Sequence, residues 1–181
     1  MIYMLLANGF EEAEAVVPCD ILRRGEVDVK LVGVNGLSVT SAHGIVMTAD
    51  LTLDQVDASQ AEMVILPGGL LGVENILASE AAMALLEACH KAGKGLSAIC
   101  AAPTVFGKMG LLEGKEAVCY PGMENGLGGA IHKKGDQVAV AGNIITGEGP
   151  GSTYEFGYTL LETLKGKTVM ENVKHAMHFR Y

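Results

Sequence analysis

The chain has 181 residues, of which 49% are apolar and 19% charged, and its formal net charge is −8. That length suits one domain over residues 1–181 with a sizeable core. The acidic balance and the lack of a basic stripe make nucleic acid an improbable partner, and no apolar run approaches the ~20 residues that span a bilayer.

Residues 2–7 read as a buried strand, because the start lacks the basic region and cleavage-like end of a signal peptide. Asn8-Gly9-Phe10 is a turn, and residues 11–24 read as a helix closed by Gly25, with a kink expected at the interior Pro18. A second strand follows at 28–34. Asn35-Gly36 then makes a hairpin-type turn, and extended pieces follow at 38–42 and 45–51. Residues 63–66 form another apolar strand, broken by Pro67-Gly68-Gly69. Ser79 is a plausible cap for a helix to Ala92, with Gly93 as its stop.

Residues 96–99 form the next strand, followed by Cys100 and a helical run through Met109. A strand at 117–120 is halted by Pro121, ahead of a glycine-rich loop at 122–129. Residues 131–134 and 137–141 are expected to pair as a hairpin through Gly135-Asp136, and 144–147 is the last strand. Ser152-x-x-Glu155 has the form of a capping box opening a helix to Lys165, and the tail from Thr168 reads as helical. Short apolar strands alternating with helices point to an α/β fold, a mostly parallel sheet with helices on both faces.

In such sheets ligands bind beyond the carboxyl ends of the strands. Five ends then converge: the cluster Glu11, Glu12 and Glu14; Gly68-Gly69; Cys100; Cys119-Tyr120-Pro121; and Glu148-Gly149-Pro150-Gly151. Cys100, between Ala98 and Ala102 at a strand-to-helix turn, follows the logic of a nucleophile elbow, where a helix N-terminus favours a thiolate. The alternative is a buried cysteine that only fills space. Gly68 and Gly69 would let amides approach an oxyanion, with the Ala101 N–H as a further donor, or they form only a loop. One of the three glutamates, facing the thiolate away from water, would have its pKa raised and could serve as a general acid/base; the others complement the helix dipole.

Cys19, Cys89, Cys100 and Cys119 are widely spaced without Cys-x-x-Cys. Disulfide frameworks and zinc sites are disfavoured, and a reducing cytoplasm is the simplest home. The histidines at 43, 90, 132, 175 and 178 match no metal signature, and no metal is expected. The high apolar share hints at surface covered by a second copy of the chain.

These residues together resemble the ThiJ/PfpI superfamily, in the branch of the parkinsonism-associated deglycase. The resemblance rests on Gly9-Phe10-Glu11-Glu12-Ala13-Glu14, the stretch from Val17 to Gly25, Leu66-Pro67-Gly68-Gly69, Ala98-Ile99-Cys100-Ala101-Ala102-Pro103-Thr104, and Gly149-Pro150-Gly151-Ser152. It implies a flavodoxin-like sandwich and a homodimer. It also implies that Cys100 is the reactive thiol, that Glu14 is the carboxyl touching it, and that the Gly69 and Ala101 amides form the oxyanion site. Arg24 is implied to lie near the pocket mouth at the dimer interface, with Tyr120 and Pro150 also at the pocket.

Many members carry histidine where this chain has Tyr120, and tyrosine, with a free pKa of about 10, is a poor base near neutrality. If strand alternation turns Tyr120 inward, Cys119 points away and cannot resolve an oxidised Cys100. Ala101 stands where the protease branch has histidine, and the late His-x-Glu of glutamine amidotransferases is absent. The resemblance therefore implies a cofactor-independent glyoxalase or deglycase acting on methylglyoxal, glyoxal or their glycated adducts. The alternative is a redox sensor or chaperone working through oxidation of Cys100.

Overall fold

In the computed structural model, which describes residues 1–180, the first apolar run is β1 (Ile2–Leu6), buried throughout. Then come α1 (Glu12–Arg24), β2 (Val29–Gly33), β3 (Ser38–Thr40), β4 (Val46–Thr48), β5 (Leu51–Thr52) and β6 (Met63–Leu66). Helices α2 (Leu70–Ala78) and α3 (Glu80–Lys91) lead to β7 (Gly95–Ile99) and α4 (Pro103–Lys108). Strands β8 (Glu116–Ala117), β9 (Ile131–His132), β10 (Val138–Ala141) and β11 (Ile144–Gly147) precede α5 (Thr153–Lys165) and α6 (Lys167–Ala176).

Seven strands form the central sheet in the order β10-β11-β7-β6-β1-β2-β5. All neighbours are parallel except β10 on β11. Strands β1, β6 and β11 are buried at every residue, as expected of a parallel sheet with helices around it. Helix α1 continues through Pro18 to Arg24. Gly157 of α5 lets the two helices close up: a β-carbon there would sit 2.7 Å from Ile21 Cδ1 and 3.2 Å from the Pro18 α-carbon. No helix among the described residues is long and apolar enough to cross a membrane.

Several sequence expectations are corrected. Residues 131–134 and 137–141 do not pair with each other. β9 lies parallel to β8, and β10 folds onto β11 across Gly142-Asn143. Gly142, at φ +65°, occupies the first central position of that two-residue turn, where a type II′ hairpin takes glycine. The strand expected at 117–120 shrinks to β8 and lies outside the central sheet. Asn35-Gly36 does not close a hairpin either, because β2 pairs in parallel with β5 while β3 and β4 pair with each other.

Ser79 caps α3, accepting from the Ala82 N–H at 3.2 Å. Ser152 gives α5 no such cap: its hydroxyl is taken by Gly149, accepting from the N–H at 3.1 Å and donating to the carbonyl at 2.9 Å. Helix α2 was not foreseen. It starts at Gly69 in a left-handed conformation, and Gly72 within it packs against the Phe10 backbone, so glycines that read as loop signals serve close packing.

Candidate active site

Strand β7 delivers Cys100 at φ +66°, a left-handed conformation that costs a non-glycine residue on the order of 1–3 kcal/mol. Two backbone hydrogen bonds hold it there. The Cys100 N–H donates to the Gly147 carbonyl at 3.0 Å, and the Tyr120 N–H donates to the Cys100 carbonyl at 2.8 Å. Ala101 and Ala102 are buried behind the turn, and Pro103 opens α4 at a position where its missing N–H is harmless.

The three glutamates at the start of α1 have three different fates. Glu14 is fully buried, and its Oε2 accepts from the Gly68 N–H at 2.8 Å. Its Oε1 is buried and receives no amide donor, and the carboxyl's other partner is the Cys100 thiol. Glu12 Oε1 meets His43 Nδ1 at 2.9 Å. Glu11 lines a cavity of about 470 Å³ together with Gly69, Leu70, Cys100, Ala101, Tyr120, Pro121, Gly122, Met123 and Pro150. Cys100, 9% exposed, lines this cavity.

Glycine is required at both positions after Pro67. A β-carbon on Gly68 would lie 2.6 Å from Glu14 Oε2 and 2.7 Å from Cys100 Cβ. Gly69 takes φ +86°, and a β-carbon there would run into the Gly9 carbonyl. The Gly68 amide is engaged by Glu14, while the amides of Gly69 and Ala101 lie where they favour the ionised form of Cys100.

Burial dominates the electrostatics. It pushes the Glu14 carboxyl up to about 7, against the lowering effect of the Gly68 amide and of Cys100, with Glu11 adding to the rise. Burial, then the charge of Glu14 and its hydrogen bond, push the Cys100 thiol up to about 12, against the Gly69 and Ala101 amides. The expected lowering at a helix N-terminus is outweighed. Groups this close titrate as a pair, so the two steps belong to both, and one proton stays between them from about 7 to about 12.

Tyr120 and Pro150 line the cavity, and the Tyr120 ring rests on Gly149, whose ideal β-carbon would be 3.2 Å from Tyr120 Cδ2. Arg24 does not reach this cavity within the chain. It pairs with Asp20 at 2.8 Å and lines a separate groove beside α6. Cys119 is buried away from the cavity, its thiol donating to the Tyr120 carbonyl at 3.5 Å, and burial with Glu124 and Glu148 pushes it up to about 11. All four cysteines are free.

Sequence reasoning placed Glu11 at this edge without a cavity role, and missed Leu70 and Met123 as cavity residues and His43 as the partner of the acidic cluster. Glu11, Glu12 and His43 are the one group among the described residues with three possible metal-ligand atoms within 4.8 Å, but His43 is exposed and already bonded to Glu12.

A model of the DJ-1/PfpI family matches residues 1–163. The chain is 41% identical over 164 residues to Protein DJ-1 homolog B of Arabidopsis thaliana, covering 90% of this chain but only 37% of that longer protein. It is 36% identical over 180 residues to Protein dj-1beta of Drosophila melanogaster, covering 98% and 96% of the two. The crystal structure of Drosophila melanogaster DJ-1beta superposes with a TM-score of 0.93 at 36% identity, covering 99% of this chain and 98% of that one. Glutathione-independent glyoxalase DJR-1.2 of Caenorhabditis elegans is 31% identical over 156 residues, covering 86% of this chain and 83% of the worm protein.

Proposed function

Because the chain belongs to the DJ-1/PfpI family, we propose that it is a cysteine-dependent, cofactor-independent glyoxalase acting on methylglyoxal, glyoxal or their adducts. One arrangement carries the proposal: Cys100 on a strained turn, two amides at its sulfur, and a buried carboxyl beside it that exchanges protons near neutrality. A relative named as a glyoxalase supports the same reading.

The Gly69 and Ala101 amides favour the ionised sulfur, and the Gly68 amide and Cys100 favour the ionised Glu14 carboxyl, so the proton that the pair retains is open to both partners. The reactive form carries that proton on Glu14, with Cys100 as thiolate. The thiolate adds to the aldehyde carbon of methylglyoxal. The carbonyl electron pair moves to oxygen, which takes the Glu14 proton while the Gly69 and Ala101 amides hold the developing charge. Glu14, now ionised, removes the hydrogen from that carbon as a proton. Through an enediol, the carbon-bound proton passes to the neighbouring carbon and the hydroxyl proton to the neighbouring oxygen, leaving a lactoyl thioester. Water adds, the C–S bond breaks, one water proton returns to Glu14 and lactic acid departs. One carbon is oxidised and its neighbour reduced, so no external electron acceptor enters.

Incubation of the pure protein with methylglyoxal tests the proposal. Lactate should form, and Cys100→Ala should lower the rate by at least about a hundredfold. Lactate formation by Cys100→Ala at the wild-type rate would end it. Assembly as a homodimer belongs to the same proposal, and light scattering at twice the 18.9 kDa chain mass supports it.

Tyr120 in place of an imidazole base favours a second reading, a peroxide sensor. Two molecules of hydrogen peroxide would each transfer one oxygen to the Cys100 thiolate and leave as water, and the sulfinate formed would accept a hydrogen bond from protonated Glu14. Intact mass after mild peroxide decides it: a stable two-oxygen adduct on Cys100 supports the sensor, and unmodified protein counts against it.

A further inference from the structure

Glu11 is the one charged side chain among the described residues that line the Cys100 cavity. Its charge already reaches the buried pair, where it helps to raise the Glu14 carboxyl. Two more carboxylates stand close by. Glu148 lines the adjoining hollow, which shares Tyr120 and Pro150, and Glu124 accepts from the Gly122 N–H on the cavity wall at 2.9 Å. No lysine or arginine among the described residues lines either hollow. His43 lies 3.7 Å from Glu11, but its closer partner is Glu12. Arg24, if a second copy brings it to the pocket mouth, brings Asp20 with it.

We infer that Glu11 is a specificity-determining residue, a charge filter that admits uncharged and cationic electrophiles to Cys100 and turns small anions away. A like charge ~6 Å off in a half-screened pocket disfavours an anion about tenfold. For substrates the inference rests on the glyoxalase reading, and it narrows the class to neutral or cationic 2-oxoaldehydes.

Alkylation of Cys100 tests the filter without requiring turnover. The full chain is treated with iodoacetamide or with iodoacetate, Cys100 labelling is followed by peptide mapping, and each rate is divided by that of free cysteine. The wild-type ratio should favour the amide about tenfold. Glu11→Gln should bring the preference below about threefold, while Glu11→Asp keeps it. Raised salt should narrow the wild-type gap, a readout that holds even if a variant folds poorly. Equal normalised rates in the wild type, or a Glu11→Gln protein as selective as wild type, overturn the filter.

A second comparison separates the two claims. Neutral 2-oxohexanal should exceed anionic 4,5-dioxopentanoate in kcat/KM by the same factor. If neither is turned over while the alkylation preference holds, the glyoxalase reading falls and the filter stands. If both are turned over equally, the filter falls and the glyoxalase reading stands.

Discussion

Glu14 and Cys100 meet over the α-carbon of Gly68, where a single added carbon would lie within 2.7 Å of both side chains. A residue from the first helix and one from the end of the fifth parallel strand are thus held together by the lack of a side chain on a third. Gly68→Ala is expected to push them apart, costing about 1–3 kcal/mol of stability and at least about tenfold in lactate formation. Gly151→Ala, whose β-carbon meets nothing within 4 Å, is the matched control and should change neither. Chemical denaturation and a lactate assay on the two variants check this.

Stability should depend on pH through the same pair. The folded-state Glu14 pKa of about 7 lies above its ordinary 4.5, so the folded protein binds the proton more tightly than the unfolded chain does. Stability is therefore greatest below 4.5 as far as this group is concerned, and falls as pH rises to about 7. The gap corresponds to about 3 kcal/mol. A further fall follows above pH 9.0, as the unfolded chain loses the Cys100 proton that the folded pair retains up to about 12. Denaturation midpoints across this range should show the first fall in wild type and lose it in Glu14→Gln.

Tyr120 contributes its backbone and its ring. The N–H holds the Cys100 turn and the ring covers Gly149, so Tyr120→Phe should leave kcat/KM for methylglyoxal within about twofold. A loss of more than about tenfold in steady-state kinetics would assign the hydroxyl a part in proton transfer.

Ser79 both ends α2 and caps α3. Ser79→Ala should cost about 1 kcal/mol in thermal or chemical denaturation, with no change in Cys100 reactivity.

Much of this site was legible in the sequence because its main signals are local. A buried strand, a lone cysteine between small residues and a proline-led helix specify the Cys100 turn within eight positions. Glu14 was legible only through the family resemblance, since helix phase alone leaves Glu11, Glu12 and Glu14 competing for the same role. Glu11 was named at the binding edge but given no place on the cavity wall, because that depends on how α1 packs beside Gly69, and His43 was missed because the β3–β4 hairpin carries it to Glu12 from thirty-one positions away. The mistaken pairing of β9 has a similar cause: alternation identifies an extended segment but not its partner, and Gly135-Asp136 and Gly142-Asn143 are both adequate turns. Helix α2 was hidden because Gly69 and Gly72 look like breakers until Gly9 and Phe10 are seen pressed against them.

The central claim is that Glu14 and Cys100 share one proton at neutrality, with the sulfur ionised in the form that reacts. Thiolate absorbance measures it directly, recorded from acid to alkaline pH on wild type with the signal of Cys100→Ser subtracted. The account predicts that part of the Cys100 thiolate signal appears near 7, in the step in which the pair loses its first proton. A sulfur that stays protonated through neutrality and ionises only near 12 would contradict it.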